Sequence, residues 1–500
     1  MAKILGISAS LRNARKGSGN KILIDELKAI NDEESLKEYL KNQAQIHLQQ
    51  FVDAGRKEHL PFDEIYTNLK KNKGNVGLSN SEVALPAALW SANQLGSEIE
   101  HISLGEYFLE SKKKKNEQEL IEKINEADGI LVSTPVYFGD RSSLSQSFIN
   151  FIILNRDKLK NIEQKVYAGI SVGAKRNGGQ ETTLIYQLYD FVNIGMLGVG
   201  NDSETTSQYG GTGYAGDIGS MGNDDYGLAM SMGTGRRLAR VSTMISEYGD
   251  YTLVDKLKVQ LWILQDKNGF ATEKAIEAFS HLKGDVELSI INICNKEIIR
   301  CIACDICPTH IDVDRSYRCI IKSKTDDFEH LHEQLLEADV IVPVIYCSKD
   351  KSDLVSNYQR FIERTRYLRR GDYVFSDLVV LPFVIEEVGA NDNMALRSMT
   401  SLMRHHTIIA KPTVLSSYKD EILEFDEAKK ELSGQIKIFK KVIISRINLY
   451  ANTDSNFKYN PVGYVLSAAK EAEDEKLDKR RGMLEKRNEK IDKMKTERLK

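Results

Sequence analysis

Two groups of side chains in this sequence have the types and spacing to do chemistry. The first lies near the amino end. An apolar run at 4–7 reads as a buried parallel strand, a loop of small and hydroxyl residues follows, and a helical pattern opens at Ser18, Gly19 and Asn20. That order makes an anion site, because the first backbone N–H groups of a helix have no intrahelical partner and the helix dipole favours negative charge there. Ser8, Ser10, Ser18 and Asn20 add side-chain donors and Arg12 adds a cationic fork, so the expected guest is a phosphate. Gly6 and Gly19 have neither Walker nor GxGxxG spacing, which sets ATP and dinucleotide fingerprints aside.

The second group is Cys301, Cys304 and Cys307, with Cys319 after eleven intervening residues. Thiolates this close can converge on one inorganic cluster, with the fourth arriving from the next turn. Zinc is the rival for four thiolates, and free thiols are the third alternative. All six cysteines lie between Cys294 and Cys347, and in a reducing compartment they read as ligands or free thiols before disulfides. Cys294 and Cys347 are expected to be structural.

The elements around these groups alternate. Residues 32–80 are polar and helix-forming with an amphipathic stripe, and read as an insertion between the first two strands that covers the domain or contacts another subunit. A helix over 81–96, a strand over 98–104, a helix over 117–128 and a strand over 129–133 follow, which implies a parallel sheet with helices on both faces. Ligands of such sheets sit off the carboxyl ends of the strands. The turn after the 129–133 strand, with Pro135, Val136, Tyr137, Phe138 and Gly139, should therefore face the same crevice as the first loop. Pro135 stiffens it, Gly139 permits close backbone approach, and the aromatic pair offers a face for a flat ring. A strand over 166–172 leads into Gly173, and then Gly178, Gly179, Gln180 and Glu181 bring backbone donors toward an electron-rich ring edge. The Gly-rich run 207–227 reads as an ordered loop, neither helix nor strand, with Tyr209, Tyr214, Met221 and Tyr226 as packing groups. A helix over 233–249 would place Arg236 and Arg237 in its first turn, facing a nucleotide phosphate or paired with carboxylates.

From 258 onward the pattern repeats, with strands at 258–264, 287–293, 340–345 and 378–383 and helices at 273–282 and 328–339. Residues 337–346 parallel 126–139 in sequence. The repeat lacks the Ser-rich loop, the aromatic turn and the Gly-Gly-Gln-Glu run, and has gained the cysteines. His405 and His406 are expected on a helix as surface or packing groups. Residues 471–500 are dense in charge and read as a solvated helix or frayed tail, with a partner-binding arm as the alternative.

The first loop, GISASLR followed by GSGN, resembles the NADPH-dependent FMN reductase group of the flavodoxin-like superfamily, which binds the FMN phosphate there. The resemblance assigns the 134–139 turn to the isoalloxazine ring, and GGQETT at 178–183 is similar to a flavin-contacting loop of iron-sulfur flavoproteins and quinone reductases. The cysteine run is similar to that of iron-sulfur flavoproteins, which hold a 4Fe-4S cluster, although their fourth cysteine lies closer than Cys319 does. The resemblance implies an α/β chain of two tandem flavodoxin-like, doubly wound parallel sheets. Its parts would be an FMN domain over 1–250 with the insertion at about 32–80, a second domain over 256–455 with a degenerate flavin site, and a charged helical tail over 465–500. FMN would be held by Ser8, Ser10, Leu11, Arg12, Ser18, Asn20, the 135–139 turn, Gly173 and the 178–181 loop, and the cluster or zinc by Cys301, Cys304, Cys307 and Cys319. NAD(P)H would be the co-substrate, and a quinone, a flavin or another small molecule the electron acceptor, with no acid or base assigned. An electron-transfer flavoprotein serving a protein partner, and a redox sensor or scaffold without turnover, are the alternatives.

Size and charge set the outer bounds. Five hundred residues exceed one hydrophobic core, and a formal net charge of -3 argues against general nucleic-acid binding. No apolar run of about 18 residues appears, so neither export nor a membrane is expected and the chain reads as cytoplasmic. The assembly expected is a homo-oligomer across the flavin, or an internal pseudo-dimer.

Overall fold

The computed structural model describes residues 1–11, 17–71, 77–108, 117–202, 205, 207–247, 251–304, 307, 319–372, 374–452, 489 and 493–500. The chain divides into two compact units, Met1–Ser246 and Glu247–Lys500.

In the first unit, β1 (Lys3–Ser8) lies between β2 (Glu98–Ser103) and β3 (Gly129–Pro135), and β4 (Val166–Gly173) follows β3, all parallel. The fifth position is shared by β5 (Leu197–Gly198), beside Val166 and Tyr167, and β6 (Gly211–Tyr214), beside residues 170–173. The resulting order, second, first, third, fourth, fifth, is that of the flavodoxin-like doubly wound sheet. Ile4, Leu5, Ile7, Ile130, Leu131 and Val132 are fully buried, because helices cover both faces and the strands read as apolar runs rather than alternations. Those helices are α1 (Ser18–Lys28), α4 (Asn80–Gln94), α6 (Glu117–Glu126), α7 (Ser143–Leu154), α8 (Gln180–Ile194) and α9 (Asp225–Glu247), with a short α5 (Gly105–Phe108) after β2. The insertion forms α2 (Glu33–Asp53) and α3 (Phe62–Lys71).

The Gly-rich run departs from the loop expected for it. Residues 211–214 are a strand and α9 begins at Asp225, so Arg236 and Arg237 sit in mid-helix rather than in a first turn. Glycine serves contact here. A Cβ on Gly235 would stand 2.0 Å from the Ala88 carbonyl oxygen, so only glycine lets α9 lie against α4. Arg236 donates to the Asp202 carboxylate at 2.6 Å, and Arg237 is buried. The insertion covers the run from outside: a Cβ on Gly222 would stand 2.9 Å from Lys41 Cα of α2.

One buried carboxylate ties the run to the loop after β4. Asp224, 7% exposed, accepts the Tyr214 N–H at 2.7 Å and pairs with Arg176. The guanidinium of Arg176 lies 5.3 Å and 5.1 Å from the ring centres of Tyr214 and Tyr226. Charge and ring quadrupole thus act on the same group.

The second unit has β7 (Leu257–Lys267) between β8 (Val286–Asn292) and β9 (Val340–Cys347), all parallel, with β10 (Leu354–Ser356) antiparallel along the end of β7. The fourth position is split into β11 (Val379–Val380) and β12 (Phe383–Glu387), and the fifth into β13 (Ile408–Ile409) and β14 (Thr413–Tyr418). A short β15 (Glu421–Ile422) turns back on β14. The single strand expected over 378–383 is therefore two, because Pro382 has no N–H to give a ladder and Pro412 interrupts the next strand likewise. Around the sheet lie α10 (Phe270–Ser280), α11 (Phe328–Leu335), α12 (Tyr358–Arg364), α13 (Arg366–Asp372), α14 (Met394–Met403) and α15 (Phe425–Asn452).

Of the charged tail, residues 453–488 lie outside those described. The end of the chain is docked rather than solvated: Leu499 bridges Leu253, and buried Arg498 grips Asp339 with two bonds of 2.9 Å and 2.8 Å and Asp255 with a third of 2.7 Å. Charge density alone hid this, since a paired arginine and a solvated one look the same in sequence. No helix among the described residues is long and apolar enough to cross a membrane.

Asp224→Ala removes the acceptor of the Tyr214 amide. Hydrogen exchange at Tyr214 should then accelerate by at least about tenfold while exchange in β1 stays unchanged; unaltered exchange at Tyr214 would show that the clamp does not hold β6.

Candidate functional site

The carboxyl ends of β1, β3 and β4 open onto a cavity of about 330 Å3. Of the residues expected to hold the ligand, it is lined by Ser10 and Leu11 from the first loop and by Pro135, Val136 and Tyr137 from the turn after β3. Its floor is held by backbone: Ala9 N–H donates to Ser133 O at 2.9 Å, and the Ser142 hydroxyl donates to Ala9 O at 2.8 Å. Ser10 shares a 2.9 Å hydrogen bond with Ser79, at the amino end of α4, where the Glu82 carboxylate accepts the Ser79 N–H at 3.0 Å. Ser8 is buried beneath, its hydroxyl 3.5 Å from the Ser10 nitrogen. Arg12 lies outside the described residues.

The turn after β3 is tight. Tyr137 and Asp140 exchange backbone hydrogen bonds of 2.8 Å and 3.0 Å, with Phe138 at φ 52° and Gly139 at φ 82°. Two successive positive φ angles match a type I′ turn, natural for Gly139 and strained for Phe138. Tyr137, which lines the cavity, is 43% exposed, and Phe138 beside it in the turn is wholly so. Behind the turn lies the 178–181 loop: Gly179, at φ 101°, comes so near that a Cβ would stand 2.8 Å from Gly139 Cα. Gln180 is buried and braces its own loop, donating to Lys175 O at 2.7 Å and Gly213 O at 3.1 Å while accepting the Gly178 N–H at 2.7 Å. Glu181 is exposed on α8, and Gly173 is buried at the end of β4. These residues shape the turn from behind and do not line the cavity.

At the amino end of α1, Ser18 is exposed and Asn20 is buried. Glu106 of α5, 8% exposed, accepts the Gly17 N–H and the Asn20 amide, the latter at 2.9 Å, and Asn20 Oδ1 meets His101 Nδ1 at 2.9 Å. One donor at this helix end is thus already satisfied by an anion of the protein. Nothing in the sequence separates Glu106 from the other glutamates around β2. Arg56, between α2 and α3, also lines the cavity, as do Asn80, Ser81 and residues 215–218. The Ser79 and Glu82 spacing is a capping-box signal, but Arg56 gives none. Hydroxyls, a side-chain amide, apolar groups and an aromatic ring around one cavity fit a phosphate joined to a flat ring, as FMN is.

The same place in the second unit is filled. The Asp266 carboxylate at the end of β7 accepts N–H groups of Ala271 at 2.8 Å and Thr272 at 3.1 Å, and the Thr272 hydroxyl at 2.6 Å. A protein carboxylate caps α10 there, and β10 runs along the strand end. Further along, Cys301, Cys304, Cys307 and Cys319 are half-buried. Burial, and then the nearby charge of Cys319, Cys301 and Cys304 against an opposing Arg366, pushes the Cys307 thiol up to about 11. Four thiols are the right donor set for a cluster or zinc, although among the described residues no three are arranged to hold a metal ion. Residues 305–306 and 308–318, between them, lie outside the described residues. Cys294 and Cys347 are buried, and burial pushes each thiol up to about 12.

Residues 74–203 match the model of the NADPH-dependent FMN reductase family. The match begins beyond the loop after β1, so the phosphate assignment rests on that loop's own chemistry. An iron-sulfur flavoprotein of Methanocaldococcus jannaschii is 38% identical over 133 residues, covering 26% of this chain and 66% of that one. An iron-sulfur flavoprotein of Methanosarcina thermophila is 42% identical over 86 residues, covering 17% and 44%. The chain thus spans less than two thirds of the length of either relative. A solved flavone reductase is 16% identical, covering 49% of this chain and 64% of that one, with a TM-score of 0.26, too low to carry an argument. The strand order of the first unit is that of a flavodoxin-like sheet, and residues 74–203 within it are similar to the NADPH-dependent FMN reductase family.

Proposed function

We propose that the first unit binds FMN and passes electrons from NAD(P)H through it to a quinone, a flavin or another small acceptor. One observation carries this reading: the cavity at the ends of β1, β3 and β4 joins the hydroxyls of Ser10 and Ser79 to the Pro135, Val136 and Tyr137 turn. Bound FMN would supply the hydride and single-electron chemistry. The residues of this chain position and tune it. Ser10 and the α1 end hold the phosphate, and the type I′ turn sets Tyr137 and Phe138 at the ring. Gln180 and the Arg176 clamp keep the two flavin loops in register. Among the described residues at the cavity, Arg56 is a cationic side chain suited to the phosphates of a nicotinamide dinucleotide. The exposed rings of Tyr137 and Phe138 suit cover by a second subunit, and a cytoplasmic homo-oligomer belongs to the same proposal.

The second unit is, in this reading, a degenerate copy of the first. Its strand order is the same, and a matching contact supports the pairing: Asp128 accepts the Lys3 N–H at 2.9 Å, and Asp339 accepts the Lys258 N–H at 2.9 Å. The copy has exchanged a phosphate cradle for the Asp266 cap and has acquired the four thiols. Those thiols favour a second reading, an electron-transfer flavoprotein in which a 4Fe-4S cluster on Cys301, Cys304, Cys307 and Cys319 takes electrons onward to a protein partner.

Freshly purified protein should show a flavin absorption spectrum that NADPH bleaches without oxygen, and Ser10→Ala combined with Arg12→Ala should lose most of the bound FMN. Full FMN retention by that double variant would remove the phosphate assignment. Anaerobic metal analysis separates the roles of the thiols: the electron-transfer reading expects iron and sulfide in the wild type and their loss in Cys304→Ser, whereas zinc or no metal would refute it.

A further inference from the structure

The insertion presents a helix face that the first unit leaves uncovered. In α3 the apolar residues Phe62, Ile65, Tyr66 and Leu69 recur at the spacing of one helical face, yet no residue of the helix is buried. Ile65 and Leu69 are half-covered, whereas Phe62 is 83% exposed and Tyr66 50%. The two exposed rings stack, with centres 6.2 Å apart and planes within 6° of each other. Asn68 holds the other side of the helix, its amide donating to Ala54 O at 3.2 Å, so Phe62 and Tyr66 project away from that contact.

The charges beside the rings say what fits over them. The first turn of α3 carries Asp63 and Glu64, and the last carries Lys70 and Lys71. At helical spacing Asp63 and Lys70 lie on one flank of the ring face, about 10 Å apart along the axis, too far to pair within the helix. Neither joins an ion pair among the described residues, and the Lys70 ammonium rests 4.1 Å from the centre of the Tyr66 ring. A second copy of α3, laid antiparallel over the same face about a twofold axis, brings Lys70 of the partner subunit to Asp63, and the symmetry repeats the pair at the other end. The apolar positions reverse onto one another in the same way. About a centre between Ile65 and Tyr66, Phe62 falls opposite the partner's Leu69 and Ile65 opposite the partner's Tyr66. A parallel alignment would instead set like charges side by side.

We propose that α3 is an isologous contact between two copies of this chain, with the Phe62 and Tyr66 rings at its centre and an Asp63 to Lys70 pair on each flank. Helices this short bury less than about 1,200 Å2 together, the size of a transient contact, so association belongs in the micromolar range. The contact differs from any cover over Tyr137 and Phe138, which stand on the turn after β3, and it needs no bound flavin.

Sedimentation equilibrium of the full chain tests it through charge reversal at two exposed positions. Wild type should show a concentration-dependent doubling of mass, and Asp63→Lys or Lys70→Asp alone should weaken that step by at least about tenfold, since each sets like charges against each other twice. An equimolar mixture of the two variants should regain it, because a mixed pair places two lysines of one chain against two aspartates of the other. Recovery in the mixture also excludes misfolding as the cause of the loss, and a contact elsewhere on the chain would respond to none of these changes. No self-association of the wild type in the micromolar range, reversals that associate as the wild type does, or a mixture no stronger than its parts would each overturn the proposal.

Discussion

Everything at the first site follows from β1 pairing in parallel with strands on both sides. Ser8 is level with Ser103 of β2 and Ser133 of β3, and just beyond it the backbones part: Ser8 O accepts the Leu104 N–H while Ala9 N–H reaches Ser133 O, each at 2.9 Å. A sheet in which the chain leaves the central strand toward opposite faces must open a crevice at that point. The cavity is the crevice, and its chemistry is set by whichever side chains the diverging loops carry. Here they are hydroxyls on the β1 side and an aromatic turn on the β3 side.

The two units answer one electrostatic problem differently. A helix that begins at the end of a central strand presents unpaired N–H groups, and some anion must meet them. In the second unit Asp266 does so from the adjoining strand, taking two consecutive amides and a hydroxyl, and no foreign anion is needed. In the first unit Glu106 reaches in from another element and takes the Gly17 N–H together with the Asn20 amide. In both units a carboxylate of the protein thus meets the helix end, from the adjoining strand in one and from a separate element in the other.

Much of this was legible in the sequence, for reasons that also mark where legibility stopped. β1, β3, β4 and β9 are buried on both faces, so they appear as continuous apolar runs, and α1 and α8 follow them with clear openings. The split strands were not legible. Pro382 and Pro412 break the ladders of the second unit, and the fifth strand of the first unit is half glycine, with Ile170 and Ser231 packed tightly over Gly211 and the Met221 thioether over Gly213. Composition there reports tight contact rather than irregularity, and for the same reason α9 begins before its glycines end. At the site, hydroxyl loops and the aromatic turn were visible as local patterns. Arg56, Glu106 and the Asp224 clamp were not, since each works through a partner distant in sequence. Gln180 was read as a ligand contact, and its amide joins Lys175 and Gly178 of its own loop to Gly213 of β6.

The central claim is that the first unit grips a mononucleotide by its phosphate. Fluorescence titration of the flavin-free protein with FMN and, separately, with riboflavin tests it most directly, because the two ligands share the ring and differ in the phosphate alone. The expected result is binding of FMN at least about a hundredfold tighter than riboflavin, the weight of two charge-assisted contacts. Equal affinities would contradict the account, for the loop after β1 would then have no part in holding the ligand.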